Sequence, residues 1–473
     1  MNGAIKIVLG LVAISAPAAV YFKKAEPTTF LPGRTSNGHH QIEKKCDACH
    51  TPFGGVAQNA CVSCHADGLE AGEDSHTPGK FQDPRNAPQL GRLDAAHCVA
   101  CHREHRPDET NRMSVSARPG FCAECHRDIG RERASHADLA FSTCTNTGCH
   151  NFHDNRAVYG DFLAKHRGEP ELLPTPALPT RTTMLPSASA AGATLPAVEG
   201  PAAANPDATA RPGPTALVAA NADVPSDIPS DLGPGHGPEE VTAAVAKWET
   251  SAHARAGVNC GGCHREEGRA GATWSWQPNQ VTLCARCHGD EKRTFLGGKH
   301  GMRLAAGLPP MRPADARLPM QGTVARDAHE RGLTCNRCHE SHAPDLVTAA
   351  VERCESCHAD NHTRAYRQSP HFALWQAELT GKGAPGTGVS CASCHLPRKT
   401  DRLGDAPRVW VDHNQNANLR PVDKMARSVC MSCHGLQFSL TALADRAVVD
   451  GNFVSRPSQP ARTGFDLLAR SKP

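Results

Sequence analysis

Cys46-Asp47-Ala48-Cys49-His50 begins a pattern that recurs through the whole chain: two cysteines separated by two residues, with a histidine directly after the second. The same spacing occurs in nine further copies: Cys61/Cys64/His65, Cys98/Cys101/His102, Cys122/Cys125/His126, Cys260/Cys263/His264, Cys284/Cys287/His288, Cys335/Cys338/His339, Cys354/Cys357/His358, Cys391/Cys394/His395 and Cys430/Cys433/His434. An eleventh copy is stretched, because four residues separate Cys144 from Cys149 before His150. The eleven motifs contain all 22 cysteines, so no thiol remains for a disulfide.

C-x-x-C-H is the attachment signature of c-type haem. Two thiols about one helical turn apart can bond to the two vinyl groups on one porphyrin edge, and the next histidine becomes the proximal iron ligand. A single C-x-x-C also fits a zinc knuckle or a redox-active dithiol. Neither alternative requires a histidine after every second cysteine, which all eleven copies have. We therefore predict eleven covalently attached haem c groups, ten at C-x-x-C-H and one at C-x4-C-H.

The composition also favours this interpretation. Only 4% of the 473 residues are aromatic, which is too few for an ordinary core of this size. Each haem is a large, rigid, apolar plate that can take the place of such a core. The predicted fold class is mainly irregular, with short α-helices wrapped around covalently bound haems, in two multihaem modules joined by a disordered Pro/Ala-rich linker.

The formal net charge of +3 does not indicate a nucleic-acid partner. Each haem would add two negative propionates and, in the ferric state, only one positive charge. The loaded protein is therefore predicted to be acidic and to dock on partners with basic surfaces.

Residues 1–24 contain an apolar run from Ile7 to Phe22 that is followed by two lysines. Ala16-Pro17-Ala18 fits a signal-peptide cleavage site, which would make the segment removable. The run continues past that site, which favours an uncleaved N-terminal membrane anchor instead. Both interpretations place the rest of the chain outside the cytoplasm, in the periplasm, and we expect it to be anchored to the inner membrane.

Residues 28–167 form the predicted first module, which carries five motifs. Its other histidines are candidate distal iron ligands: His39, His40, His76, His97, His105, His136, His153 and His166. His105 and His153 follow a motif histidine by three residues. The two axial ligands of one iron lie on opposite faces of the ring, so these histidines are predicted to ligate a neighbouring haem. The dense motifs and histidine-rich spacers resemble class III cytochromes c, in which C-x4-C-H is a known variant.

Residues 168–240 contain no cysteine and are rich in proline, alanine, threonine and serine. This composition predicts a flexible linker. Such a linker cannot by itself hold two groups of haems within electron-tunnelling range. Either the modules dock on each other, or one of them shuttles between partners.

Residues 241–440 form the predicted second module, with six motifs, and residues 441–473 form a C-terminal tail predicted to pack on it. The candidate distal ligands here are His253, His300, His329, His342, His362, His371 and His413. The stretches Ala365–Trp375, Ser428–Leu436 and Trp248–Cys260 resemble multihaem cytochromes of the nitrogen cycle, the group of the octahaem hydroxylamine oxidoreductases and the cytochrome c nitrite reductases.

The departures from that group are informative. Its nitrite reductases use a C-x-x-C-K motif at the catalytic haem, and this chain has none. Its hydroxylamine oxidoreductases cross-link the active haem to a tyrosine, for which Tyr366 is the candidate here, although a packing role is the simpler interpretation.

Two functions remain. With 27 histidines, of which 11 belong to motifs, the chain has a surplus that favours two imidazoles on each iron and an electron carrier. The resemblance of the second module instead implies an oxidoreductase acting on small nitrogen or sulfur oxyspecies at one five-coordinate haem. A third possibility is a subunit of haem-wired filaments. The expected partners are redox proteins, with a membrane quinol oxidoreductase or dehydrogenase as donor.

Overall fold

The computed structural model describes residues 27–52, 54–72, 84, 87–106, 115–117, 120–133, 136–137, 140–141, 144, 153, 160–180, 237–268, 271–276, 280–313, 332–403, 406–419 and 422–457. Short helices and irregular segments make up most of this part of the chain. Its strands form three separate two-stranded antiparallel hairpins. The structure confirms the predicted fold class, because the described residues form brief helices and no large sheet.

The first module contains six described α-helices, most of them only one or two turns long. They are α1 (Gln58–Gly72), α2 (Ala87–Leu93), α3 (Cys98–Cys101), α4 (Ala123–His126), α5 (Ile129–Glu132) and α6 (Gly160–Lys165). Short 3₁₀ turns cover Pro27–Phe30, His40–Ile42 and Cys46–Ala48, and the hairpin β1 (His50–Thr51) and β2 (Gly55–Val56) follows the first motif.

The second module has more helices among its described residues. They are α7 (Pro238–Glu249), α8 (Ala252–Arg255), α9 (Cys260–His264), α10 (Gln280–Cys284), α11 (Gly289–Gly297), α12 (Met302–Ala305), α13 (Cys335–Cys338), α14 (Leu346–Ala350), α15 (Glu352–Glu355), α16 (Asn361–Ala365), α17 (Pro370–Leu379), α18 (Cys391–His395), α19 (Gln415–Leu419), α20 (Val422–Ser428), α21 (Leu436–Ala444) and α22 (Arg446–Asp450). Two further 3₁₀ turns lie at Tyr366–Gln368 and Cys430–Ser432.

Two hairpins belong to the second module: β3 (Arg265–Gly268) with β4 (Gly271–Trp274), and β5 (Arg398–Leu403) with β6 (Ala406–Val411). In the second hairpin Asp401 lies opposite Arg408, and the guanidinium of Arg408 donates to the carboxylates of Asp401 (2.6 Å) and Asp290 (2.7 Å). This double pairing attaches the hairpin to the first turn of α11.

The apolar protein core is small. Three clusters of buried hydrophobic residues occur in the described part of the chain, each with only two or three buried members. In the described residues of the first module only Ala117 and Leu163 are buried hydrophobics, and Leu163 packs against Leu436 of the second module. Side-chain packing alone therefore gives the described part of the first module little core of its own, which fits a fold built around large apolar groups.

Residues 168–180, which we call the strap, lie against the second module. The backbone N–H of Leu173 donates to the carbonyl of Cys433 (2.8 Å), and that of Leu178 donates to Gly386 (2.7 Å). The Leu178 side chain is buried with Val389 and Val429. The described part of the chain thus includes residues 168–180, at the predicted start of the linker, and residues 238–240, at its predicted end, where α7 begins. Residues 181–236 lie outside the described part of the chain.

The C-terminal tail also contacts the second module. Helix α21 crosses the predicted boundary at residue 440, and α22 follows directly, with its first turn capped by the carboxylate of Asp445. Asn452 donates from its side-chain amide to the carbonyl of His362 (2.9 Å).

The described part of the chain contains no helix with the length and apolar character that a bilayer crossing requires. The predicted signal peptide or anchor at residues 1–24 lies outside the described residues.

Candidate haem-ligand sites

Each cysteine motif with a described backbone contains a tight turn. In α3 the backbone N–H of His102 donates to the carbonyl of Cys98 (2.8 Å), and in α13 that of His339 donates to Cys335 (3.0 Å). Residues four apart lie on the same face of a helical turn, so the first cysteine and the histidine are neighbours. At α18 the side chain of Ser390 caps the turn by accepting from the N–H of Ser393 (3.1 Å).

Motif histidines face histidines from elsewhere in the chain. Among the described residues, nine motif imidazoles each lie opposite one non-motif imidazole, with 5.9–6.4 Å between ring centroids. With the motif histidine first, the pairs are His50–His105, His65–His39, His102–His153, His264–His342, His288–His253, His339–His413, His358–His300, His395–His362 and His434–His371.

This separation is the one that two axial ligands of one metal would have. A metal–imidazole nitrogen bond of about 2.0 Å, together with about 1.1 Å from that nitrogen to the ring centre, puts the centroids about 6.2 Å apart. Aromatic rings in direct contact also have centroids about 4.5–7 Å apart, so the distance fits both arrangements. The composition of the pairs favours iron, because each combines one motif histidine with one other histidine, and two imidazoles are a ligand set that haem iron accepts.

Histidines that closely follow a motif are placed beside a different motif. His105 lies 6.3 Å from His50, although its nearest motif histidine in sequence is His102. In the same way, His342 faces His264 at 6.1 Å. His362, four residues after His358, faces His395 at 6.0 Å. These placements follow the geometric expectation for a histidine on the same short turn.

The second ring nitrogen of several paired histidines has a backbone acceptor. Nδ1 donates to a carbonyl oxygen in His105 (to Gly33), His264 (to Ser275), His362 (to Val449), His413 (to Val411) and His434 (to Glu171). An N–H at Nδ1 leaves the lone pair on Nε2, which is the usual arrangement of a metal-bound histidine. The donor chemistry of these sites therefore fits haem iron.

At His300 the group beside Nδ1 is a side chain instead of a backbone carbonyl. Its Nδ1 lies 3.1 Å from the amide nitrogen of Gln415, whose Oε1 is buried without a hydrogen-bond partner among the described residues. Rotation of the amide by half a turn lets Oε1 accept the Nδ1 proton. Amide oxygen and nitrogen are nearly indistinguishable in shape, so the hydrogen-bonding demand decides between the two orientations.

Burial keeps these imidazoles neutral. Burial, together with the smaller effect of the facing imidazole, lowers the pKa of His300, His371 and His395 to about 4 in each case. Burial also lowers the pKa of His65, to which His39 adds. Neutral imidazole is the form that binds a metal, so these rings need no deprotonation at neutral pH.

Successive motifs lie close together at their cysteines. The thiols of Cys284 and Cys335, which belong to consecutive motifs, interact so that the pKa of Cys284 is lowered and that of Cys335 is raised. Burial and the thiol of the next motif together raise the pKa of Cys61, beside Cys98, and the pKa of Cys122, beside Cys144. The thiol of Cys391, and then burial, raise the pKa of Cys354. Attachment sites that are consecutive in sequence are therefore neighbours in space at these four places.

Side chains cover the described cysteines only in part. Cys46, Cys64, Cys125, Cys144 and Cys287 are exposed, and the other described cysteines are partly buried. The preceding serine hydroxyl lies 3.9 Å from the sulfur of Cys64 and 3.7 Å from that of Cys357.

Within the described residues no cysteine is fully buried, because the small apolar core leaves few side chains to cover the motif turns. The assignment of all 22 cysteines as haem-attachment residues, Cys64, Cys125, Cys287 and Cys357 included, depends on the motif spacing and stays a prediction.

The remaining histidine candidates are placed less uniformly. His136 lies close enough to His126 for the two imidazoles to interact, and burial, with Arg133 and His126, lowers the pKa of His136. His166 is largely buried and bonds through Nδ1 to the Glu169 carboxylate at 2.6 Å. His97 is 55% exposed and pairs with Asp94, and Nδ1 of His40 lies 3.1 Å from the carbonyl of Asn37. The other predicted site residues, His76, Cys149, His150 and His329, lie outside the described part of the chain.

Some contributors were not predicted from the sequence. Glu171 in the strap supplies the carbonyl at His434, and Val449 in the tail supplies the carbonyl at His362. Phe453 packs against the rings of both His362 and His371. A backbone carbonyl has no residue-type signature, so nothing in the sequence could have identified Glu171 or Val449.

Tyr366, the candidate for a covalent cross-link, is buried. Its hydroxyl donates to the carbonyl of Val389 (2.9 Å), and its ring packs edge-on against Phe372. Burial raises its pKa. These contacts describe a packing residue with a satisfied hydroxyl.

A zinc site needs three or four His, Cys, Asp or Glu side chains around one metal ion. The described residues contain no group of three or more His, Cys, Asp or Glu side chains arranged to hold a metal ion.

Comparison with known proteins gives a partial match to a cytochrome. The chain is 26% identical over 187 residues to a protein named cytochrome c-552 from Haemophilus ducreyi, a match that covers 34% of this chain and 34% of that protein. The alignment thus spans about a third of the relative's length. No family model matches the chain, and no solved structure matches it. Together with the cysteine motifs, this similarity supports a c-type cytochrome with covalently attached haem.

Proposed function

We propose that the protein is an electron carrier with eleven covalently attached haems, most of them held between two histidines. The proposal rests chiefly on the nine imidazole pairs, each of which combines a motif histidine with a second histidine at the spacing of two axial ligands. The ten C-x-x-C-H motifs and the stretched Cys144–His150 motif supply the attachment points.

Bound haem iron supplies reversible one-electron chemistry. The chain's own residues have three tasks around it. Paired cysteines hold the edge of the ring, and imidazoles on both faces occupy the axial positions. The carbonyl acceptors at Nδ1 fix the orientation and tautomer of these imidazoles. A site filled in this way offers no open position for a substrate.

Two further pairs complete the proposal. His126 and His136 already interact in the structure, so we assign them to one iron. We assign His166 to the haem of the Cys144–His150 motif. Its ring is largely buried, and the Glu169 carboxylate holds Nδ1, which leaves Nε2 available as a ligand.

The contacts between consecutive motifs support conduction along the chain. Haems attached at Cys284 and Cys335, or at Cys354 and Cys391, would be neighbours, because the thiols that would hold them lie close enough to interact. Short gaps between successive carriers favour rapid transfer. The five motifs before the strap and the six after it would each form such a series.

The location and partners are part of the same proposal. Covalent haem attachment takes place outside the cytoplasm, which favours the periplasm and an N-terminal segment that directs or anchors the chain there. An anchored carrier is suited to accept electrons from a membrane quinol oxidoreductase or dehydrogenase and to pass them to another redox protein.

Low-temperature EPR of the ferric protein tests the proposal against the enzyme alternative. A carrier with two histidines on each iron gives low-spin signals only, and nitrite or hydroxylamine leaves them unchanged. A high-spin signal near one equivalent per chain that responds to either compound would favour a multihaem oxidoreductase with one open haem. Negative-stain microscopy separates both from a filament subunit.

A further inference from the structure

Glu104 lies where three of the paired sites meet. It follows the motif histidine His102 by two residues and immediately precedes His105, which faces His50. Its own side chain turns to a third site, where Oε1 is 2.6 Å from Nδ1 of His39, the partner of His65. One carboxylate thus bonds directly to a candidate iron ligand that lies 65 residues earlier in the chain.

The carboxylate is held firmly in this position. It accepts from the backbone N–H of Ser36 (2.6 Å) and from the hydroxyl of Ser36 (2.8 Å), in addition to Nδ1 of His39. Ser36 is buried, and about a third of each of the Glu104 and His39 side chains is exposed. Three donors on one carboxylate form a preorganised site rather than a chance surface contact.

This acceptor distinguishes the His39–His65 pair from the six other pairs at which a Nδ1 acceptor is described. Outside those pairs, His166 also bonds through Nδ1 to a carboxylate, that of Glu169. Where a Nδ1 acceptor is described at another paired histidine, it is a neutral group: a backbone carbonyl in five cases and the amide of Gln415 in the sixth. A neutral acceptor orients the ring. A carboxylate also draws the proton toward itself and makes the imidazole a stronger electron donor.

We propose that Glu104 is a positioning residue that lowers the reduction potential of the haem held by His39 and His65. A more basic imidazole and a nearby negative charge both stabilise ferric iron, which carries one more positive charge than ferrous iron. The reduced state of this haem is therefore disfavoured relative to the same site with a neutral acceptor. The inference rests on the proposed function, because it requires iron between the two rings.

The test is a redox titration of the complete, haem-loaded chain and of its Glu104→Gln variant, followed by optical absorption and EPR. The amide keeps the size and an acceptor oxygen but removes the charge. We expect one of the eleven components to move upward, so that its ferric-to-ferrous ratio at a fixed potential falls about tenfold, equivalent to about 59 mV for one electron. The matched control is Glu43→Gln, which removes a charge from a neighbouring carboxylate that accepts from Thr35 Oγ1 (3.3 Å).

Two outcomes would overturn the inference. One is an unchanged set of potentials in Glu104→Gln with full haem content and low-spin EPR. The other is an equal shift in Glu43→Gln, which would indicate general surface charge. A wild-type protein without eleven haems or without low-spin signals would refute the proposed function instead, so the two failures are distinguishable.

A second variant covers the case in which Glu104→Gln loses haem during maturation. Ser36→Ala keeps the carboxylate but removes one hydroxyl donor from it. The negative charge is then less dispersed, and we expect the same component to move downward. An upward or absent shift in Ser36→Ala would contradict the proposed role of the carboxylate.

Discussion

The strap offers the sharpest test of how the two modules are joined. It contains two leucines in very different environments: Leu178 is 6% exposed and packs on Val389 and Val429, whereas Leu172 is 58% exposed. If the strap fastens the first module to the second, the linker at residues 181–236 can be cut without separating them. Leu178→Ala should then weaken the association, and Leu172→Ala should not.

The expected loss of association free energy in Leu178→Ala follows from the burial of this side chain. Truncation of a buried leucine to alanine costs about 2–3 kcal/mol when the surroundings partly relax, which suits a small cluster near the protein surface. This free energy corresponds to about a 30- to 160-fold weaker association of the cut halves. Truncation of the exposed leucine should change the constant by less than about twofold, since surface substitutions usually cost under about 0.5 kcal/mol.

The assay uses a protease site inserted between residues 195 and 215 of the haem-loaded protein. After cleavage, sedimentation velocity followed at the Soret band reports the two coloured halves across a dilution series. We expect the wild-type halves to remain together at concentrations at which the Leu178→Ala halves have separated.

Two results would refute the reasoning. If the wild-type halves separate immediately after cleavage, the strap does not hold the first module on the second. If Leu172→Ala and Leu178→Ala weaken the association equally, the buried contact is not what holds the halves together.

Three further predictions follow from the same structure. His342→Ala removes the imidazole that faces His264 and should convert that haem to a high-spin or ligand-exchanged form. The site of His339, three residues away in sequence, should stay low-spin. Ferric EPR measures both sites. The Asp345 carboxylate accepts from the Thr348 hydroxyl and caps α14 by accepting from the N–H groups of Val347 and Thr348. The hydroxyl bond first, and then the N–H bonds, hold the pKa of Asp345 below the usual value, so its stabilisation is present at neutral pH and is lost as the pH falls through that lowered pKa. Asp345→Asn should therefore flatten the acid limb of a stability-against-pH curve, with a cost of about 1 kcal/mol or less at pH 7. Chain produced without haem attachment should show no cooperative thermal transition by circular dichroism, because its apolar clusters are small.

The sequence predicts the local features of the chain, because each of them depends on residues only a few positions apart. The turn at each C-x-x-C-H depends on residues within one helical turn, and the expectation that His105 and His153 serve other sites follows from the geometry of a short helix. The scarcity of aromatic residues correctly indicated that side chains alone would build little core.

The sequence does not predict which histidine faces which motif histidine, because these partners lie far apart in the chain. Nothing in the local sequence of His39 distinguishes it from His40, yet only His39 lies opposite a motif histidine among the described pairs, because Ser36 and Glu104 turn it in that direction. The strap was predicted as linker because its prolines fit an extended chain. A prediction of local conformation does not reveal that Leu178 packs against Val389 and Val429.

Haem content tests the central claim most directly. Intact mass spectrometry of the purified protein, combined with pyridine haemochrome absorption, gives the number of covalently bound haems per chain and the identity of the mature N-terminus. The account predicts a polypeptide carrying eleven haems, with every cysteine consumed in a thioether bond, the exposed Cys64, Cys125 and Cys287 included. A colourless protein with free thiols, or one that holds zinc at those sulfurs, would contradict it.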